Sequence, residues 1–182
     1  MKITFLGTGT SQGVPVIGCE CSVCTSTDPR DKRLRSSIHI EVDDKSFVID
    51  TGPDFRQQML REKIKKLDAV LFTHGHKDHT AGLDDVRAFN HLQKKSMPVY
   101  GAKDVLDQLK VEFYYAFSDK KYPGIPQLDL HELSGEDIEI DHVPITPLPV
   151  LHLSLPVLGF RIYDFLLTLP TQIQSPKQPL PN

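Results

Sequence analysis

The chain has 182 residues, 25% charged and 39% hydrophobic, a balance that excludes a disordered polymer and suits one domain of ordinary size. No apolar run approaches the roughly 20 residues of a membrane-spanning helix, and Gly7 and Gly9 interrupt the start where a secretory signal needs an apolar core, so a cytoplasmic location is expected. A net charge of −3 argues against a protein built to coat nucleic acid or an anionic membrane.

Lys2 to Leu6 alternates apolar and polar residues and stops at glycine, which predicts a first strand feeding a loop. The irregular stretch from Gly7 to Ser36 is longer than a plain connection needs, and it carries all three cysteines, Cys19, Cys21 and Cys24. An odd number at that spacing, with no export signal, points to metal rather than to a disulfide. Arg33, Arg35, Ser36 and Ser37 suit either a phosphate or ribose contact or a solvated polar stretch. Ser37 to Val42 and Ser46 to Asp50 read as a hairpin turning at Asp43-Asp44-Lys45. A helix follows from Pro53, with Phe55, Met59 and Leu60 on its buried face.

Leu67 to Phe72 contains the run Ala-Val-Leu-Phe, the pattern of a strand buried on both faces. Beyond it, helices are predicted from about Leu83 to Leu92 and from Lys103 to Lys110, flanking a short strand at Pro98 to Tyr100. Four more strands are predicted at Leu128 to Leu133, Asp137 to Ile140, Val143 to His152 and Pro156 to Tyr163. Antiparallel strands first and strands alternating with helices later indicate an α/β or α+β layered domain.

The chemistry concentrates just after the buried strand, in Thr73-His74-Gly75-His76-Lys77-Asp78-His79-Thr80-Ala81-Gly82. With 8 histidines in the chain, a chance His-x-His-x-Asp-His is expected about once in a thousand such sequences. Strand ends are where α/β folds place ligands. Two residues apart in an extended segment, His74 and His76 point the same way and can share one cation, while Asp78 and His79 can hold a second.

His74-x-His76-x-Asp78-His79-x-x-Gly82 resembles the signature of the metallo-β-lactamase superfamily, whose fold is a four-layer αββα sandwich of two similar halves. Ile49-Asp50-Thr51-Gly52 resembles that family's second motif, which implies that Asp50 supports the metal loop from behind. His152 falls where the next ligating histidine is expected. Gly13-Val14-Pro15 followed by Cys19-x-Cys21-x-x-Cys24 is similar to the phosphoribosyl cyclic phosphate phosphodiesterases, and to the pyrroloquinoline quinone synthesis protein B in the same segment. The resemblance implies a structural Zn²⁺ at the three cysteines. It also implies a dinuclear Zn²⁺, Mn²⁺ or Fe²⁺ centre, with His74, His76 and His152 on one ion and Asp78 and His79 on the other. Asp78 is the expected catalytic residue, orienting the attacking hydroxide. The implied substrate is a small cyclic phosphate or nucleotide-like ester. A transfer-RNA 3′-processing endonuclease and an inactive zinc-binding remnant are the alternatives. Nucleic acid and membrane are not expected partners, and a homodimer is compatible with the sequence.

The resemblance calls for two further ligands, a bridging aspartate and a final histidine, that the sequence does not supply. After Phe165 it runs into a tail containing Pro170, Pro176, Pro179, Pro181, Gln172, Gln174 and Gln178. Codons compatible with this tail, read one nucleotide earlier, encode an Ala-Asp-Ala segment of the kind the bridge requires. The expectation is therefore a partial domain over 1–165, with an incomplete second half, and a disordered, frame-shifted tail over 166–182.

Overall fold

In the computed structural model, which describes residues 1–119 and 122–167, the chain opens with β1 (Lys2–Gly7), antiparallel to β2 (Ser37–Val42). The hairpin into β3 (Lys45–Ile49) turns on two residues, Asp43 and Asp44, with φ of 48° and 61°. Such a left-handed pair matches the twist of the flanking strands. Lys45, expected in the turn, already pairs with Val42.

Three parallel strands complete this sheet: β4 (Ala69–Leu71), β5 (Met97–Gly101) and β6 (Leu128–Glu132), in the order β1-β2-β3-β4-β5-β6. Parallel neighbours need crossovers. These carry α1 (Phe55–Arg61), α2 (Lys77–Thr80), α3 (Arg87–Gln93), α4 (Lys103–Glu112) and α5 (Tyr114–Phe117). The chain then builds a second, antiparallel sheet from β7 (Ile138–Ile140), β8 (Val143–His152), β9 (Leu155–Ile162) and β10 (Phe165–Leu167).

Alternation along the strands divides the apolar residues between two cores. Ile38, Ile40, Phe47, Ile49, Ala69 and Leu71 face Ile140, Val143, Ile145, Phe160 and Ile162 of the second sheet. Val48, Val70 and Val99 point the other way, against Phe55, Leu83, Phe89, Leu106 and Leu109 of the helical layer. β4 belongs to both cores, which is why its run is continuously apolar. The described residues thus supply three layers of the expected αββα sandwich: helices, the six-stranded sheet and the four-stranded sheet.

Two expectations are corrected. Phe55 and Met59 are buried, but Leu60 is 61% exposed. It lies about 140° round the helix from Phe55, away from the core. β10 also crosses the boundary expected at residue 165, with Leu166 opposite Arg161 and Leu167 opposite Phe160. The remainder of the expected disordered tail, 168–182, lies outside the described residues.

Candidate metal centre

The site forms where β3 and β4 end side by side. Asp50, the residue after β3, is fully buried with φ 64°, a left-handed conformation that aspartate tolerates better than most side chains. Its Oδ1 accepts the Thr73 backbone N–H at 2.9 Å. Its Oδ2 accepts the Thr73 hydroxyl at 2.7 Å and His79 Nδ1–H at 2.6 Å. One carboxylate therefore holds both ends of the turn that carries the candidate ligands. The second sheet adds a tie, from Leu158 N–H to the Thr73 carbonyl at 2.8 Å. Gly82 closes the turn against the strand end, where a Cβ would lie 2.2 Å from the Gly52 carbonyl oxygen.

These bonds decide the tautomers. A carboxylate only accepts, so His79 carries its proton on Nδ1 and turns Nε2 outward. The Thr73 hydroxyl donates to Asp50, so it accepts from His74 Nδ1–H at 2.9 Å, and Nε2 of His74 is likewise presented outward. That Nε2 lies 3.1 Å from His76 Nδ1. Asp78 Oδ2 lies 3.2 Å from His79 Nε2. Burial, followed by the neighbouring His79 and His76, pushes the His74 pKa down to about 4, so the ring is neutral at physiological pH. Burial pulls the His79 pKa down too, but the Asp50 charge and hydrogen bond, with Asp78, outweigh it and the net direction is up. Imidazole nitrogens beside a carboxylate are the donor types that a divalent transition-metal ion accepts, although among the described residues only the cysteines already bring three ligand atoms within 4.8 Å of one another.

Asp78 and His152 complete the wall. His152 ends β8, its ring centroid 6.3 Å from that of His74, just before a turn in which Leu153 is left-handed at φ 57°. His74, His76, Asp78, His79 and His152 line one cleft of about 370 Å³, shared with Thr10 and Ser11 of the loop after β1. Every histidine ligand predicted from sequence faces this cleft. Arg35, by contrast, is engaged elsewhere: Nη1 bonds Asp54 Oδ1 at 3.0 Å and Nε bonds the Ser11 carbonyl at 3.0 Å.

The cysteines gather at a second place. Cys19, Cys21 and Cys24 have sulfurs within 4.8 Å of one another. Backbone N–H groups of Val16 and Cys24 approach Cys24 Sγ and Cys21 Sγ at 3.4 and 3.5 Å. The Cys24 backbone donor, then the neighbouring thiols, lower the Cys21 pKa to about 7. Clustered thiols, one poised to ionise, fit a thiolate-bound ion.

Sequence reasoning missed Thr73, Thr10, Ser11, and the α4 residues Gln108 and Glu112 that contact the turn. Thr73 stands next to the motif and could have been read from it. The others come from distant segments and carry no spacing signal.

The chain belongs to the β-lactamase superfamily, whose domain model matches residues 45–166. It is 43% identical over 164 residues to a protein of Porphyromonas gingivalis named octanoyltransferase, covering 89% of this chain and 33% of that protein. A solved diphosphatase of the PhnP family superposes with a TM-score of 0.79 at 44% identity, covering 88% of this chain and 61% of that one. The Zn²⁺-bound PqqB of Methylobacterium extorquens shares the fold, with a TM-score of 0.68 at 22% identity over 89% of this chain and 61% of that one. The chain thus spans between a third and about three fifths of the lengths of these relatives.

Proposed function

We propose that this chain binds divalent metal in the histidine cleft and serves a hydrolase that cleaves small phosphate esters or diphosphates. The observation that carries the reading is the convergence of His74, His76, Asp78, His79 and His152 on one polar cleft, with Asp50 fixing two of the ring tautomers. The 44% identical diphosphatase supports a phosphorus substrate. The octanoyltransferase has two thirds of its length outside the match, so its name does not select the chemistry of this part.

When bound, the ions would supply Lewis acidity and lower the pKa of water. His74, His76 and His152 would hold one, and Asp78 and His79 would contribute to the other. The chain's own residues do the rest. Asp50 keeps the Nε2 atoms of His74 and His79 aimed into the cleft. Asp78, half-buried at its edge, would accept a proton from an attacking water at a carboxylate oxygen. Thr10 and Ser11 also line the cleft, and their hydroxyls would suit oxygen atoms of a phosphate group. At the cysteine loop a structural Zn²⁺ would be held by Cys19, Cys21 and Cys24.

A net charge of −3 favours a small ester over precursor transfer RNA. The test is metal content by elemental analysis, followed by assays with a cyclic ribose phosphate, a dinucleoside diphosphate and a precursor transfer RNA. Metal at the histidines with turnover of either small substrate supports the proposal. Turnover of the RNA alone would replace it with the endonuclease reading, and metal without turnover would leave a zinc-binding protein.

A further inference from the structure

Neighbouring residues of the metal-binding turn do different work. His74, His76 and Asp78 face the cleft, whereas Thr73, Gly75 and Lys77 are gripped by other parts of the protein. Thr73 is gripped from the sheet end by Asp50. Gly75 and Lys77 are gripped from the opposite side, by α4. There Gln108 Nε2 donates one hydrogen to the Gly75 carbonyl at 2.5 Å and the other to Glu112 Oε1 at 2.6 Å. Glu112 Oε2 in turn lies 2.7 Å from Lys77 Nζ.

Four residues apart on a helix, Gln108 and Glu112 project in the same direction. Their backbone is anchored, because Val105, Leu106 and Leu109 of the same helix are buried in the helix-side core. The amide lies so close that a Cβ on Gly75 would sit 2.3 Å from Gln108 Oε1. A side chain at position 75 would therefore have to displace the Gln108 amide from its place against the turn. The Lys77 side chain is 66% exposed, so its ion pair alone contributes little. The effective contact is the bond from Gln108 to the Gly75 carbonyl.

The geometry points to Gln108, backed by Glu112, as a positioning residue that fixes the relative directions of the His74 and His76 rings by holding the peptide between them. The inference rests on the proposed metal role of those histidines. It assigns to α4 the half of the support that Asp50 does not provide.

The test uses the full chain and cobalt(II), whose thiolate charge-transfer absorption reports the cysteine cluster separately from the histidine cleft. Gln108→Leu should weaken cobalt at the histidines by about 10–100-fold while the thiolate band and the metal-free thermal midpoint stay unchanged. In the metal-free protein, amide exchange over residues 74–79 should quicken by about tenfold in the same variant. Lys77→Met should give a smaller loss that Lys77→Arg restores. Histidine-site affinity within about twofold of wild type, with unchanged exchange, overturns the proposal. Should Gln108→Leu fail to fold, Gln108→Glu keeps the size but removes the donor. Its loss of affinity supports the brace and its full retention refutes it. A wild-type chain that takes up no cobalt at its histidines refutes the metal reading, and the exchange comparison then decides the brace by itself.

Discussion

The histidine cleft and the cysteine loop are both clusters of candidate metal ligands, yet the protein builds them in opposite ways. The first grows from the buried ends of β3 and β4, with His74 6% and His79 1% exposed and Asp50 wholly enclosed. Its ring directions follow from hydrogen bonds that exist without metal. The second sits on the long loop after β1, with Cys19 and Cys21 exposed, and its sulfurs receive two long N–H contacts. Folding organises the cleft before an ion arrives, whereas an ion would help to organise the loop. A preorganised site loses little entropy on binding, which suits a centre that must present its ligands in one geometry.

The largest expected effect tests this preorganisation directly. Asp50→Ala strands the buried donors of Thr73 and His79, and should destabilise the metal-free chain by about 3–5 kcal/mol in denaturant unfolding. It should also weaken metal at the histidines by about 10–100-fold. If the variant unfolds like wild type, the cleft is not held by Asp50 and the contrast fails. His152→Ala comes next. It would remove a proposed ligand at a strand end without opening the core, so metal affinity should fall by more than about tenfold while unfolding stability changes by less than about 0.5 kcal/mol.

At the cysteine loop the balance should reverse. Chelation, or Cys21→Ser, should speed proteolysis within residues 16–28 by about tenfold and leave the unfolding of the two sheets within about 0.5 kcal/mol of wild type. Equal protection with and without metal would make the loop as preorganised as the cleft.

The smallest effect lies in the pH dependence. A thiolate cluster sheds a proton from each sulfur on binding, and Cys21, at about 7, is the readiest to do so. His74 is pushed down to about 4 and is already neutral, while Asp50 and Asp78 hold His79 above the usual imidazole value, so acid protonates it before His74. Acidification from pH 7 to 5.5 should therefore weaken binding at both sites, with a steeper slope of log affinity against pH at the cysteines. Cobalt titrations read at the thiolate and imidazole bands compare the two. A steeper slope at the histidines would contradict the assigned protonation states.

Much of this was legible along the chain. The His74 to Gly82 motif, the buried strand before it, and the hairpin of β2 and β3 are local patterns, set by residue type at short spacing. Asp50 was legible as a partner through its motif, although its left-handed backbone and triple acceptor role were not. The outward face of Leu60 was misread because an apolar residue on a short helix does not reveal how the helix is rotated against its core. Gln108 and Glu112 were invisible, since two polar residues on an amphipathic helix look like any solvated pair until the fold brings Gly75 beneath them.

The amino-acid sequence by itself determined which residues can bind metal, because imidazole, thiol and carboxylate chemistry is carried by the side chains and their local spacing. The tertiary structure decided which of them meet and, for His74 and His79, which ring nitrogen is held by a hydrogen bond. His152 reaches His74 across two sheets, and Asp50 and Gln108 hold one turn from opposite sides. Such contacts arise from packing between segments far apart in the chain, where local spacing carries no information.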